Sequence, residues 1–128
     1  MISFCLIGSG SDANAYYFSY KNRAVMIDNG FTLKELRSRS VKLGITLEEV
    51  DALYVTHTHA DHIRGVGAFA RAYGIPVCHH HLADLNGYQA KRRQFSCIPI
   101  VPGETQETSA FCVTAFETSH DSSHSISY

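Results

Sequence analysis

The 128 residues predict an α/β domain, a mixed sheet with helices packed on it. Three observations point there. Apolar runs of strand length open the chain at Ile2–Ile7, Tyr16–Tyr20 and Ala24–Ile27. Strand and helix patterns then alternate from Thr32 to Val77. Strand patterns return at Ile98–Val101 and Phe111–Thr118.

The elements follow in order. Ile2–Ile7 reads as a buried strand, closed by the polar turn Gly8-Ser9-Gly10-Ser11-Asp12. Tyr16–Tyr20 turns through Lys21-Asn22-Arg23 into Ala24–Ile27, which ends at Asp28, and Asn29-Gly30 turns again. Thr32 with Glu35 forms a capping box for a helix that stops at Gly44, and Thr46 with Glu49 repeats the signal for one short turn. Ala52–Val55 is a short strand. After Thr56–His62, the residues Ile63, Val66, Phe69, Ala70 and Tyr73 recur at helical spacing up to Gly74. Val77-Cys78 is a strand, Leu82–Gln89 a helix weakened by Gly87, and Pro102-Gly103-Glu104 a turn. Ser119–Ser125 is a polar loop, and Ile126–Tyr128 begins another strand.

Composition narrows the class. Hydrophobic residues make up 45% and charged residues 18%, which suits a packed core rather than disorder. No apolar run nears the ~20 residues that cross a bilayer, and the first strand lacks the flanks of a signal peptide. A net charge of −1 argues against binding nucleic acid by bulk charge alone. Cys5, Cys78, Cys97 and Cys112 form no C-x-x-C pattern, so four reduced thiols in the cytoplasm are expected.

Chemistry concentrates in His57-Thr58-His59-Ala60-Asp61-His62, directly after a buried strand and before a helix. In extended backbone His57 and His59 point the same way and can face one ion. Asp61 and His62 open the helix as a second pair of donors. Imidazole with carboxylate and no thiolate suits zinc, manganese or iron. Such a set can serve two ions ~3.5–4 Å apart, the spacing of binuclear hydrolysis.

Thr56–His62 resembles the HxHxDH signature of the metallo-β-lactamase-fold hydrolases. Leu6–Ser11, Met26–Gly30, Ile63–Val66 and Ser119-His120-Asp121 resemble the YycJ/WalJ-like branch, which contains cytosolic DNA exonucleases and related phosphodiesterases. The resemblance implies an αββα sandwich, of which residues 1–128 form the N-terminal half as a single partial domain. It implies that His57, His59 and His120 bind one divalent ion and that Asp61 and His62 bind a second. Asp61 would also orient the attacking water, and Asp28 would hold the site from behind. It implies cytoplasmic hydrolysis of DNA or another phosphodiester. A thioester, lactone or β-lactam hydrolase, or an inactive half-domain, is the alternative. A half sandwich leaves an apolar sheet face uncovered, so the chain is expected to pair with a second copy through that face, to swap elements, or to be fragile alone. Asp12-Ala13 departs from the branch's Ser-Gly, and Ser127 from its glycine.

Other patterns weigh less. Gly8–Ala13 matches the G-x-G-x-x-A dinucleotide fingerprint, but the fingerprint needs a helix next and Ala15–Tyr20 reads as a strand. A tight turn near the metal site is the better reading. His79-His80-His81 reads as a surface run, His124 as a loop residue, Lys91-Arg92-Arg93 as a solvated helix end, and Tyr16-Tyr17-Phe18 as packed strand.

Overall fold

The computed structural model describes residues 1–83, 85, 95–118 and 125–128. A six-stranded mixed sheet runs in chain order: β1 (Ser3–Gly8), β2 (Ala15–Tyr20), β3 (Arg23–Asn29), β4 (Val50–Tyr54), β5 (Val77–His80) and β6 (Cys97–Ile100). β1–β3 are an antiparallel meander; β3–β6 are parallel. Lys21 and Asn22 join β2 to β3 with φ of 48° and 63°, the left-handed pair that a two-residue hairpin requires. Parallel neighbours need crossovers. These are α1 (Leu33–Leu43) between β3 and β4, and α2 (Ala60–Ile63) with α3 (Val66–Tyr73) between β4 and β5. Two small antiparallel pairs follow, β7 (Thr105–Glu107) with β8 (Cys112–Thr114) and β9 (Phe116–Glu117) with β10 (Ile126–Ser127).

The caps read from sequence fold as expected at α1. Thr32 Oγ1 accepts from Glu35 N at 3.2 Å, and Gly44 ends the helix at φ 69°. Thr46 makes no side-chain cap, and Leu47–Glu49 is a single 3-10 turn. The one helix expected after His62 is two helices. A Cβ at Gly65 would lie 1.7 Å from Phe31 O, while Gly65 N donates to Asn29 O at 2.9 Å. The helix breaks there because its backbone presses on the end of β3.

Alternation along the strands makes two apolar layers. Met26, Leu53, Val55 and Val77 pack under Leu36, Ile63 and Phe69 of the helices. Val25, Ala52, Tyr54, Cys78 and Ile100 pack on the opposite face, against Ala115 and Ile126.

Three expectations need correction. β1 is not a buried strand: it is the sheet edge, where Ile7 is buried but Ile2, Phe4 and Leu6 are 59%, 57% and 44% exposed. Phe4 lies 5.0 Å from Phe18, at the margin of the face that Ala115 and Ile126 cover further along the sheet. His79-His80-His81 is not a surface run. His79 and His80 are buried in β5 opposite Pro99 and Ile100 of β6, and His81 alone is exposed. Phe111–Thr118 is two strands, parted by buried Ala115, and β8 pairs with the unexpected strand β7. The helix expected over 82–89 falls largely outside the described residues. So do Lys91-Arg92-Arg93, His120 and His124.

Candidate metal centre

Parallel packing of β3 on β4 brings their C-terminal ends together, which is where open α/β sheets bind ligands. Asp28 sits at that end of β3. The β2–β3 register jumps from Tyr16↔Ile27 to Ala15↔Asn29, so Asp28 is the extra residue of a bulge, with φ at 59°. A non-glycine residue there stores strain, and bulges next to active sites re-aim side chains. The buried carboxylate turns toward the end of β4. Oδ1 accepts from Thr56 N at 2.8 Å; Oδ2 accepts from Thr56 Oγ1 and from His62 Nδ1, each at 2.6 Å.

This network assigns tautomers. Thr56 has one hydroxyl proton, and the carboxylate takes it. Thr56 Oγ1 therefore accepts from His57 Nδ1–H at 2.9 Å. His62 gives its Nδ1–H to Asp28 directly. Both rings are held through Nδ1, which is how a metal-binding histidine is oriented by a partner behind it.

The rings cluster. Those of His57 and His59 are 4.6 Å apart and those of His57 and His62 are 3.9 Å apart, centre to centre. His62 Nε2 lies 3.3 Å from Asp61 Oδ2. Two acceptors at that separation repel unless positive charge lies between them. Burial lowers the His62 pKa, but the bond to Asp28 and the charges of Asp28 and Asp61 outweigh it and leave it raised. A divalent cation satisfies the same demand, so the donors fit one chemically. Among the described residues no three His, Cys, Asp or Glu side chains close a complete set by themselves. His120, the expected third imidazole, lies outside those residues.

Sequence reading passed over two residues. Thr56 relays Asp28 to His57. Asn14 binds Asp61: its main-chain N donates to Asp61 O at 2.7 Å and its side-chain Nδ2 to Asp61 Oδ2 at 3.0 Å. Gly30 completes the clamp. Its N donates to Asn14 O at 3.0 Å, and a Cβ on it would sit 1.9 Å from Asp61 O. The Asn29-Gly30 turn signal was visible, but the contact with Asp61 was not.

Residues 8–110 match the metallo-beta-lactamase superfamily. The chain belongs to that superfamily. It is 35% identical over 74 residues to exodeoxyribonuclease WalJ of Streptococcus pneumoniae serotype 2 (strain D39 / NCTC 7466), covering 58% of this chain and 28% of that protein. It is 26% identical over 133 residues to exodeoxyribonuclease YycJ of Bacillus anthracis, covering 99% of this chain and 49% of that one. The chain thus spans half or less of the length of these curated relatives. The solved structure of Rm3 metallo-beta-lactamase superposes with a TM-score of 0.80 at 16% identity, over 96% of this chain and 51% of that one.

Within this superfamily member His79 and His80 are occupied otherwise. His79 Nδ1 lies 2.8 Å from His80 O, and His80 Nδ1 accepts from Leu82 N at 3.0 Å. The glycine loop enters a strand, Ala15–Tyr20, as a dinucleotide fingerprint does not, and its last residue before that strand is Asn14. The end of the described chain is tied beside the motif: Ile126 N donates to Thr56 O at 2.9 Å and Tyr128 OH to Val55 O at 2.7 Å.

Proposed function

We propose that this chain carries the ion-binding floor of a metal-dependent hydrolase acting on phosphodiesters, DNA foremost. The observation that carries the reading is the Asp28 network. One buried carboxylate holds the Nδ1 side of His62 directly and that of His57 through Thr56, beside the Asp61 carboxylate. His57, His59 and His120 would hold one divalent ion, and Asp61 with His62 a second; zinc or manganese suits these donors, with iron as a third choice. The reading of His120 is supported by its neighbours in sequence: it falls between β9 and β10, which pair with each other, and β10 bonds through Ile126 to Thr56, the neighbour of His57.

Such ions supply a nucleophile of hydroxide strength near neutral pH and Lewis-acid neutralisation of phosphoryl charge. The chain's residues do the rest. Asp61 accepts a proton-bearing water and aims it. Asp28 keeps both imidazoles in the ligating tautomer and offsets the positive charge gathered at the site. Two relatives whose names state exodeoxyribonuclease activity support DNA as the substrate. The reading puts the chain in the cytoplasm. Among the described residues no helix is long and apolar enough to cross a membrane. It also pairs two copies through the exposed edge bearing Ile2, Phe4 and Leu6.

The test is a substrate panel on metal-loaded protein: single- and double-stranded DNA, bis-p-nitrophenyl phosphate and a chromogenic β-lactam. Hydrolysis of the phosphodiesters, lost in His57→Ala, is expected. Turnover of the β-lactam alone would replace the reading.

A further inference from the structure

We propose that Asn14 is a positioning residue for Asp61, fixing the plane of its carboxylate so that Oδ2 is held facing His62 Nε2; this rests on the metal-hydrolase reading above. Asn14 is 6% exposed and ends the loop between β1 and β2. Its amide is fully engaged. Oδ1 accepts from Gly10 N at 3.1 Å, and Nδ2 donates to Gly10 O at 2.8 Å and to Asp61 Oδ2 at 3.0 Å, with Asp61 O at 3.4 Å.

The pattern separates two jobs. Holding the Asp61 backbone needs only the main-chain bond from Asn14 N, which any residue but proline offers. The bond to Oδ2 needs a side-chain donor of this length. Glycine or alanine would keep the loop's backbone bond and leave the carboxylate free to rotate. Aspartate would set a second carboxylate against the first. The same Oδ2 faces His62 Nε2 at 3.3 Å, so the Asn14 donor fixes which oxygen looks toward that ring. A ligand held by its own rigid partner loses less freedom when it binds an ion. The two Gly10 bonds lock the amide in turn, so the ordering starts in the loop and ends at the carboxylate.

The experiment compares wild type, Asn14→Asp and Asp61→Asn by calorimetric titration of the metal-free protein with Mn²⁺, with thermal melting of each metal-free form. N14D is expected to weaken the ion that Asp61 serves by about 10–100-fold, to leave the other ion within about twofold, and to lower kcat on bis-p-nitrophenyl phosphate with KM little changed. Wild-type affinity for both ions in N14D overturns the inference. Equal loss at both ions with a collapsed melting temperature overturns it too, as that marks a merely structural role. If N14D does not fold, the Asn14 side-chain amide signals of ¹⁵N-labelled wild type are followed during Zn²⁺ titration. Movement with the ion that D61N abolishes supports the inference, and fixed signals overturn it. A wild type that takes up no ion sinks the metal reading itself, whereas ion binding untouched by N14D sinks this inference alone.

Discussion

Asp28 and His62 stand 2.6 Å apart, Oδ2 to Nδ1, across the C-terminal ends of two elements separated by 34 positions in sequence. Asp28 reaches His62 because a bulge with left-handed backbone turns its carboxylate out of the pleat. Asp28→Asn keeps the shape and replaces one acceptor oxygen with a donor. The variant is expected to lose about 10–100-fold in metal affinity, measured by competition with a chromogenic chelator. Unchanged affinity would show that the ligands orient themselves.

Gly65 is the point where helix and sheet meet most closely. Gly65→Ala forces a Cβ against Phe31 O, which neither backbone can yield without moving the α2–α3 junction. Destabilisation of about 1–3 kcal/mol or more is expected from urea unfolding. A neutral result would mean that the junction is looser than described.

None of the four cysteines is in a disulfide, and they differ in exposure. Burial pushes the Cys78 thiol up to about 12, while Cys112 is exposed. Only the thiolate reacts. Iodoacetamide at pH 7.5, followed by peptide mass spectrometry, should label Cys112 first and Cys78 only on unfolding.

Tyr17 gives a pH dependence. Burial, with the charge of Glu49 adding to it, pushes its pKa up to about 12 from 10.0. The folded state therefore holds the proton more tightly. Its contribution is complete below pH 10 and is lost as pH rises toward 12. Tyr17→Phe should lose less stability across that window than wild type, read by denaturant midpoints at pH 9 and pH 11. Parallel losses would assign the alkaline sensitivity elsewhere.

The exposed edge β1 and the residue before it carry Phe4, Leu6 and Ile2. If two copies pair there, Phe4→Glu with Leu6→Glu shifts light scattering from dimer mass to monomer mass. A wild type already monomeric at high micromolar concentration would remove the pairing.

Legibility followed the range of each signal. The α1 caps and the β2–β3 turn are set by residues within four positions of one another, and both were readable. Thr56–His62 stands out because four candidate donors fall within six residues. Asn14 and Thr56 were not, since their roles depend on partners 47 and 28 positions away. The exposure of β1 was missed because Ile2–Ile7 is apolar on both faces, and only strand order shows that it lies at the edge. His79 and His80 looked polar enough for the surface, yet β6 pairs over them and their rings bond to nearby backbone.

The central claim is that His57, His59 and His120 share one cation. Zinc K-edge X-ray absorption on protein loaded with one equivalent of Zn²⁺ counts the imidazoles directly, in wild type and in His120→Ala. Three imidazoles in wild type and two in the variant are expected. An unchanged count on removing His120 would contradict the shared site.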